Sequence, residues 1–221
     1  MALVDEFMAA VKANDASKVT EFLDQDLSLV TAKSGDNSAT LTAVYYGAKD
    51  VIDVLLQHGA TLGYFEAVAV GQTHKVLDFL NDQPTLLNDY SHDGFTALGL
   101  AAFFGHRNIV LELVARGAQV NAISQNSMKV MALHSAVAHR HTEIADILLA
   151  NGADVNAKQQ DGFTPLLEAV HNSQLDMIEL LLQRGANVTL AKDDGQTPLA
   201  IAQEEGNGEV IDLLIKNGAE R

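Results

Sequence analysis

Histidines, carboxylates and a few aromatic side chains are the groups in this sequence that could do chemistry or recognition. His139, His141 and His171 come closest to a metal-ligand pattern, because imidazoles gathered by a fold hold zinc or copper. No carboxylate or further histidine stands at a ligand spacing from them, and the 221 residues contain no Cys. No metal is expected. His139 and His171 keep a second role, as groups that titrate near neutrality and could make partner binding pH-sensitive. Asp193, Asp194, Glu204 and Glu205 could in principle work as acid and base. That chemistry needs one raised pKa in an enclosed pocket, whereas these four fall on turns and helix ends. They read as a solvated end of the molecule, with a site for a basic partner as the alternative. Asp-Gly at 93, 161 and 194 is turn chemistry, and no glycine-rich phosphate loop is present. No catalytic residue and no cofactor are expected, so the chain reads as a non-enzyme.

Charge narrows the partners. There are 29 Asp and Glu against 14 Lys and Arg, a formal net charge of −15. Nucleic-acid and anionic-membrane binding need clustered bases, so both are disfavoured, while basic proteins would be steered in at low salt. Without Cys there can be no disulfide and no thiolate catalysis. The first residues, Met1 to Phe7, carry acids where a signal peptide carries bases, and no apolar run approaches the ~20 residues of a membrane span. A cytoplasmic protein is expected.

Stepping from single residues to the elements that carry them, the strongest signal is a repeat. Asp161-Gly162-Phe163-Thr164-Pro165-Leu166 recurs 33 positions later as Asp194-Gly195-Gln196-Thr197-Pro198-Leu199. Each copy leads through two helical runs to a Gly-Ala pair. Asp-Gly supplies a turn. Thr caps the helix, and Pro at the first helical position gives up an amide that had no partner. Gly at 47, 71, 105 and 206 fits a left-handed helix stop. Arg140 and Ser173 stand at that stop in two units, at an expected cost of roughly 1–2 kcal/mol each if the left-handed geometry is kept. Asn121 and Asn156 can bond back into the following turn.

Seven units cover the chain as one domain: 1–34 as an N-terminal cap, 35–60, 61–91, 92–122, 123–157, 158–189, and 190–221 as a C-terminal cap. In the first, Leu3, Phe7, Ala10 and Val11 share a helix face. In the second, Ser38 is the expected cap and the second helix runs over Lys49 to Gln57. The third is shortened and matches the first at an offset of 57, with Val19 and Val76, Leu23 and Leu80, Leu29 and Leu86 in register. The connection from Ser124 to Lys129 is lengthened. Fixed-period units of this kind bury their apolar faces only by stacking.

These residues resemble the ankyrin repeat, closely over 92–219, loosely over 35–60, and only as helices over 1–34 and 61–91. The resemblance implies an all-α solenoid of helix-turn-helix units with short β-turn fingers, here with a notch or kink at the shortened third repeat. His106 and His141 match the family's structural histidine, and His134 keeps a second one that Gly99, Leu167 and Ala200 replace. The resemblance also implies binding of a protein partner through the concave face and turn tips. The two positions before each helix stop are exposed in the family. Here they are Tyr45 and Tyr46, Ala69 and Val70, Phe103 and Phe104, Ala138 and His139, His171 and Asn172, then Glu204 and Glu205. The first three pairs make an apolar, aromatic stripe. Tyr45, Tyr46, Val70, Phe103, Phe104, His139 and His171 are the expected partner-binding residues, with the alternative that the rings close over one another as local core. Phe95 and Phe163 are tip residues or pack on neighbouring turns. The expected function is that of a non-enzymatic protein–protein interaction module, a monomer that binds a protein partner and whose charge favours a basic one. The alternatives are an inhibitory or chaperoning subunit of one enzyme, or self-association.

Overall fold

A computed structural model describes residues 2–35 and 37–220. It is all-α with paired short helices, and it falls into two compact units, 1–77 and 78–221.

In the first unit, α1 (Ala2–Lys12) and α2 (Ala16–Gln25) run into a 3-10 turn at Leu27–Thr31. Phe7, Met8, Ala10 and Val11 of α1 are buried with Val19 and Leu23 of α2. Leu3 is 44% exposed, so the buried stripe of α1 begins one turn later than the sequence suggests, with Met8 in its place. The strands β1 (Lys33–Ser34) and β2 (Asn37–Ser38) form the first finger, pairing Lys33 with Ser38. Next come α3 (Ala39–Tyr45), α4 (Lys49–Gln57) and α5 (Tyr64–Val70), and α6 (Thr73–Asp82) leads onward. Ser38 caps α3, its Oγ accepting from the Leu41 amide at 3.0 Å.

The shortened third repeat has no strand pair between α4 and α5. Glu66 takes over part of the finger's work. Its Oε2 accepts from the Gly63 amide at 2.7 Å, closing the start of α5, and its Oε1 accepts from the Ser38 hydroxyl. One carboxylate thus ties together the starts of α3 and α5, the first helices of two successive repeats. The doublet relationship is visible in the backbone: α6 and a second 3-10 turn at Pro84–Asn88 reproduce α2 and the first 3-10 turn at the offset of 57.

In the second unit, α7 (Ala97–Phe103), α8 (Arg107–Ala115), α9 (Ala132–Ala138), α10 (Thr142–Ala150), α11 (Pro165–His171), α12 (Leu175–Gln183), α13 (Pro198–Glu204) and α14 (Gly208–Lys216) alternate first and second helices. Thr96, Thr164 and Thr197 cap the first helices through their hydroxyls. Ala is prominent on the first helices, including Ala97, Ala101, Ala136, Ala169 and Ala202, all within 2% of full burial. Small residues keep these helices thin, and α7, α9, α11 and α13 contact one another in sequence. The second helices contribute Ile109, Leu113, Leu148, Met177, Ile178 and Leu181 to the core.

The helix stops follow the turn chemistry. Gly47, Gly71, Gly105 and Gly206 have φ between 66° and 85°, and Arg140 and Ser173 hold the same left-handed backbone at 60° and 50°. The asparagines that end the units reach forward rather than within their own turn. Asn121 Oδ1 accepts from the Asp154 amide at 2.9 Å, and Asn156 Oδ1 from the Asn187 amide at 2.8 Å. The lengthened connection grips the preceding finger, with the Gln125 amide donating to Gly94 O at 2.8 Å and Asn126 Nδ2 to Asp93 O at 3.0 Å.

Candidate protein-interaction face

The first helices end where the sequence places the candidate residues. In the first unit, Tyr45 is 39% and Tyr46 60% exposed, on the last turn of α3. The Lys12 ammonium lies 5.7 Å from the Tyr46 ring centroid, a cation–π arrangement that steadies the ring while leaving most of it in solvent. Val70, at the end of α5, is half-buried. Its neighbour Ala69 is 3% exposed, so at this repeat only one residue of the pair reaches the surface.

In the second unit, Phe103 and Phe104 are half-buried at the end of α7, edge to face with centroids 4.8 Å apart. The His139 ring packs on Phe103 at 3.9 Å and parallels His141 at 6.2 Å. His141 Nε2 lies 3.1 Å from the Phe103 carbonyl oxygen, fixing the end of α7 that carries the two phenylalanines. These contacts make one exposed aromatic edge, intermediate between a free stripe and a closed core. His139 has its pKa lowered, first by partial burial and then by His141, against the opposing field of Glu168.

His139 and His171 take separate partners. His171 Nδ1 lies 3.1 Å from Glu205 Oε1, and its ring meets the Phe163 edge at 6.4 Å. Phe163 is half-buried under the Lys192 ammonium, 5.0 Å above its centroid, so this tip residue packs on the next finger. Among the described residues no three His, Asp or Glu side chains gather as a metal-ligand set. Sequence reasoning missed Glu168, whose charge acts on His139 and which accepts from Asn172 Nδ2 at 2.9 Å. Its signal was its position three residues before His171 on one helix, a spacing that puts both on one face. His134, which is buried, accepts from the Met131 amide through Nδ1 at 3.2 Å, and its Nε2 lies 3.0 Å from Ala157 O. It is a structural link and not part of the face.

Repeated helix pairs with finger turns and a small-residue first helix define a class, the ankyrin-type repeat solenoid. The chain belongs to the ankyrin-repeat family: the family model for ankyrin repeats, in three copies, matches residues 7–124, 64–159 and 133–220. Alpha-latrotoxin-Lt1a of Latrodectus tredecimguttatus is 31% identical over 71% of this chain and 11% of its own length. Ankyrin repeat and SAM domain-containing protein 6 of Rattus norvegicus is 36% identical over 45% of this chain and 11% of its own. BCL-6 corepressor-like protein 1 of Homo sapiens is 38% identical over 37% of this chain and 4% of its own. The chain thus spans only a small part of the length of these relatives. Ankyrin repeats are generally protein–protein interaction modules and typically non-enzymatic. Among the described residues no helix is long and apolar enough to cross a membrane.

Proposed function

We propose that this chain is a non-enzymatic interaction module that holds a protein partner on the exposed ends of its first helices and on its turn tips. The observation that carries the reading is the exposure of Tyr45 and Tyr46, at 39% and 60%, side by side on α3. A buried core tyrosine contributes to folding, whereas an exposed aromatic pair offers contact area to another surface. The Phe103–Phe104–His139 edge offers aromatic area in the second unit. The test is capture of partners by the native chain and by a Tyr45→Ala, Tyr46→Ala variant, each followed by mass spectrometry. The variant is expected to keep the circular dichroism spectrum and urea midpoint of the parent and to lose the captured protein. Loss of the fold in the variant would make the rings core and sink the reading.

A further inference from the structure

The face of the second unit changes character along its length. At one end stand the half-buried rings of Phe103 and Phe104 on α7. His139 comes next, packed 3.9 Å from Phe103. Glu168 and His171 follow on α11, and Glu204 and Glu205 at the end of α13. The row is continuous: α7 contacts α9, α9 contacts α11, and α11 contacts α13. Its far end is negative. Glu168 accepts from Asn172 Nδ2 at 2.9 Å, Glu205 lies 3.1 Å from His171, and Glu204 accepts from Gln196 Nε2 at 2.6 Å, beside a turn that carries Asp193 and Asp194. The neighbouring cations are already engaged. Arg140 Nη2 donates to the Asn172 carbonyl at 2.5 Å, and Lys192 pairs with Asp194 at 3.1 Å.

Resting on the reading above, we propose that this row seats an extended segment of the partner protein, apolar where it crosses Phe103 and Phe104 and carrying Lys or Arg where it crosses Glu168, Glu204 and Glu205. The complementarity is specific in both halves. An aromatic edge gains by covering apolar side chains. Three carboxylates within one stripe of a chain of net charge −15 repel acids and attract bases. Three helix-to-helix steps of about 8–10 Å each make a row of about 24–30 Å, which about eight extended residues span at ~3.3 Å per residue. The basic residues of the partner therefore stand about five to eight positions from its apolar ones. A short, uniformly basic segment leaves the rings uncovered, and a uniformly apolar one brings no Lys or Arg to the carboxylates.

The experiment is selection from a displayed library of random nine-residue peptides on the full 221-residue chain, followed by fluorescence anisotropy with synthetic copies of the enriched peptides. The expected result is enrichment of peptides with an apolar residue followed, or preceded, at that spacing by Lys or Arg. Their affinity should fall at least tenfold on Glu168→Lys with Glu205→Lys, two surface changes that leave the core alone, and tenfold on Phe104→Ala. Composition-matched scrambled peptides should bind at least tenfold more weakly. Enrichment of peptides without bases, still weakened by Phe104→Ala, would overturn this inference and leave the interaction-module reading standing. Scrambled peptides binding equally well would reduce the effect to general charge attraction and overturn it also. No enrichment, or binding indifferent to every change on the row, would sink both.

Discussion

The His141 ring fills the space that a β-carbon on Gly105 would occupy, with its Cε1 only 2.7 Å from that position. The same imidazole reaches the Phe103 carbonyl, so one side chain from the next repeat holds the stop of α7 and the base of the aromatic edge. Gly105 is therefore required twice, for its φ of 77° and for its missing side chain. Gly105→Ala is expected to cost about 2–4 kcal/mol, the sum of left-handed strain and overpacking. Gly206→Ala, with φ of 68° and nothing within 4 Å, should cost only about 1–2 kcal/mol, the strain alone. Urea unfolding of the two variants measures the difference. Equal losses would mean that the ring moves aside freely.

Ser173 carries the opposite strain. Its φ of 50° is left-handed without the excuse of glycine, and its hydroxyl accepts a surface hydrogen bond from Asn207 Nδ2 at 3.0 Å. Relief of strain should outweigh loss of that exposed bond and the added freedom of the unfolded chain. Ser173→Gly is expected to raise stability by roughly 0.5–1 kcal/mol. Denaturant midpoints at constant m-value provide the check, and a lowered midpoint would show that the Asn207 contact dominates.

His134 makes stability fall in mild acid. Burial, the leading cause, lowers its pKa from 6.5, while the backbone bonds to Ala157 and Phe163 and the charge of Asp154 oppose. The neutral ring is the form that accepts from the Met131 amide. With a folded pKa below the unfolded one, the unfolded chain binds the extra proton. The stabilisation is complete above about 6.5 and is lost as pH falls from there through the folded value, at no more than about 1.4 kcal/mol per pH unit. Thermal melts between pH 7.5 and 5 should show a steeper decline for the native chain than for His134→Gln. Parallel curves would assign the acid sensitivity to other groups.

Gln174 stands where His106 and His141 stand in their units, yet neither its Nε2 nor its Oε1 has a hydrogen-bond partner, and the residue is 5% exposed. A buried, unpaired amide costs about 1–3 kcal/mol. Gln174→Leu, close in size, is expected to stabilise the chain by about 1–2 kcal/mol. A calorimetric melting temperature at or below the parent's would show that the amide is satisfied in solution.

Much of this fold is local and was legible in the sequence. The helix Lys49–Gln57 runs between the residues that the spacing indicates, and Ser38, Thr164 and Thr197 cap as their side chains allow. Turn, cap and stop are decided within a few residues by backbone conformation, so residue type suffices. The family followed from the same signals repeating in phase. The tertiary structure decided what lies between repeats. It set His139 on Phe103 and His171 beside Glu205, buried Ala69, turned Leu3 outward and sent Asn121 and Asn156 to the next unit. It also made the Ser124–Lys129 connection a grip on Asp93 and Gly94. These contacts join residues roughly one period apart. Their geometry depends on how closely thin, alanine-rich helices approach, and on which side chains reach the gap, so residue spacing alone does not choose between the partners.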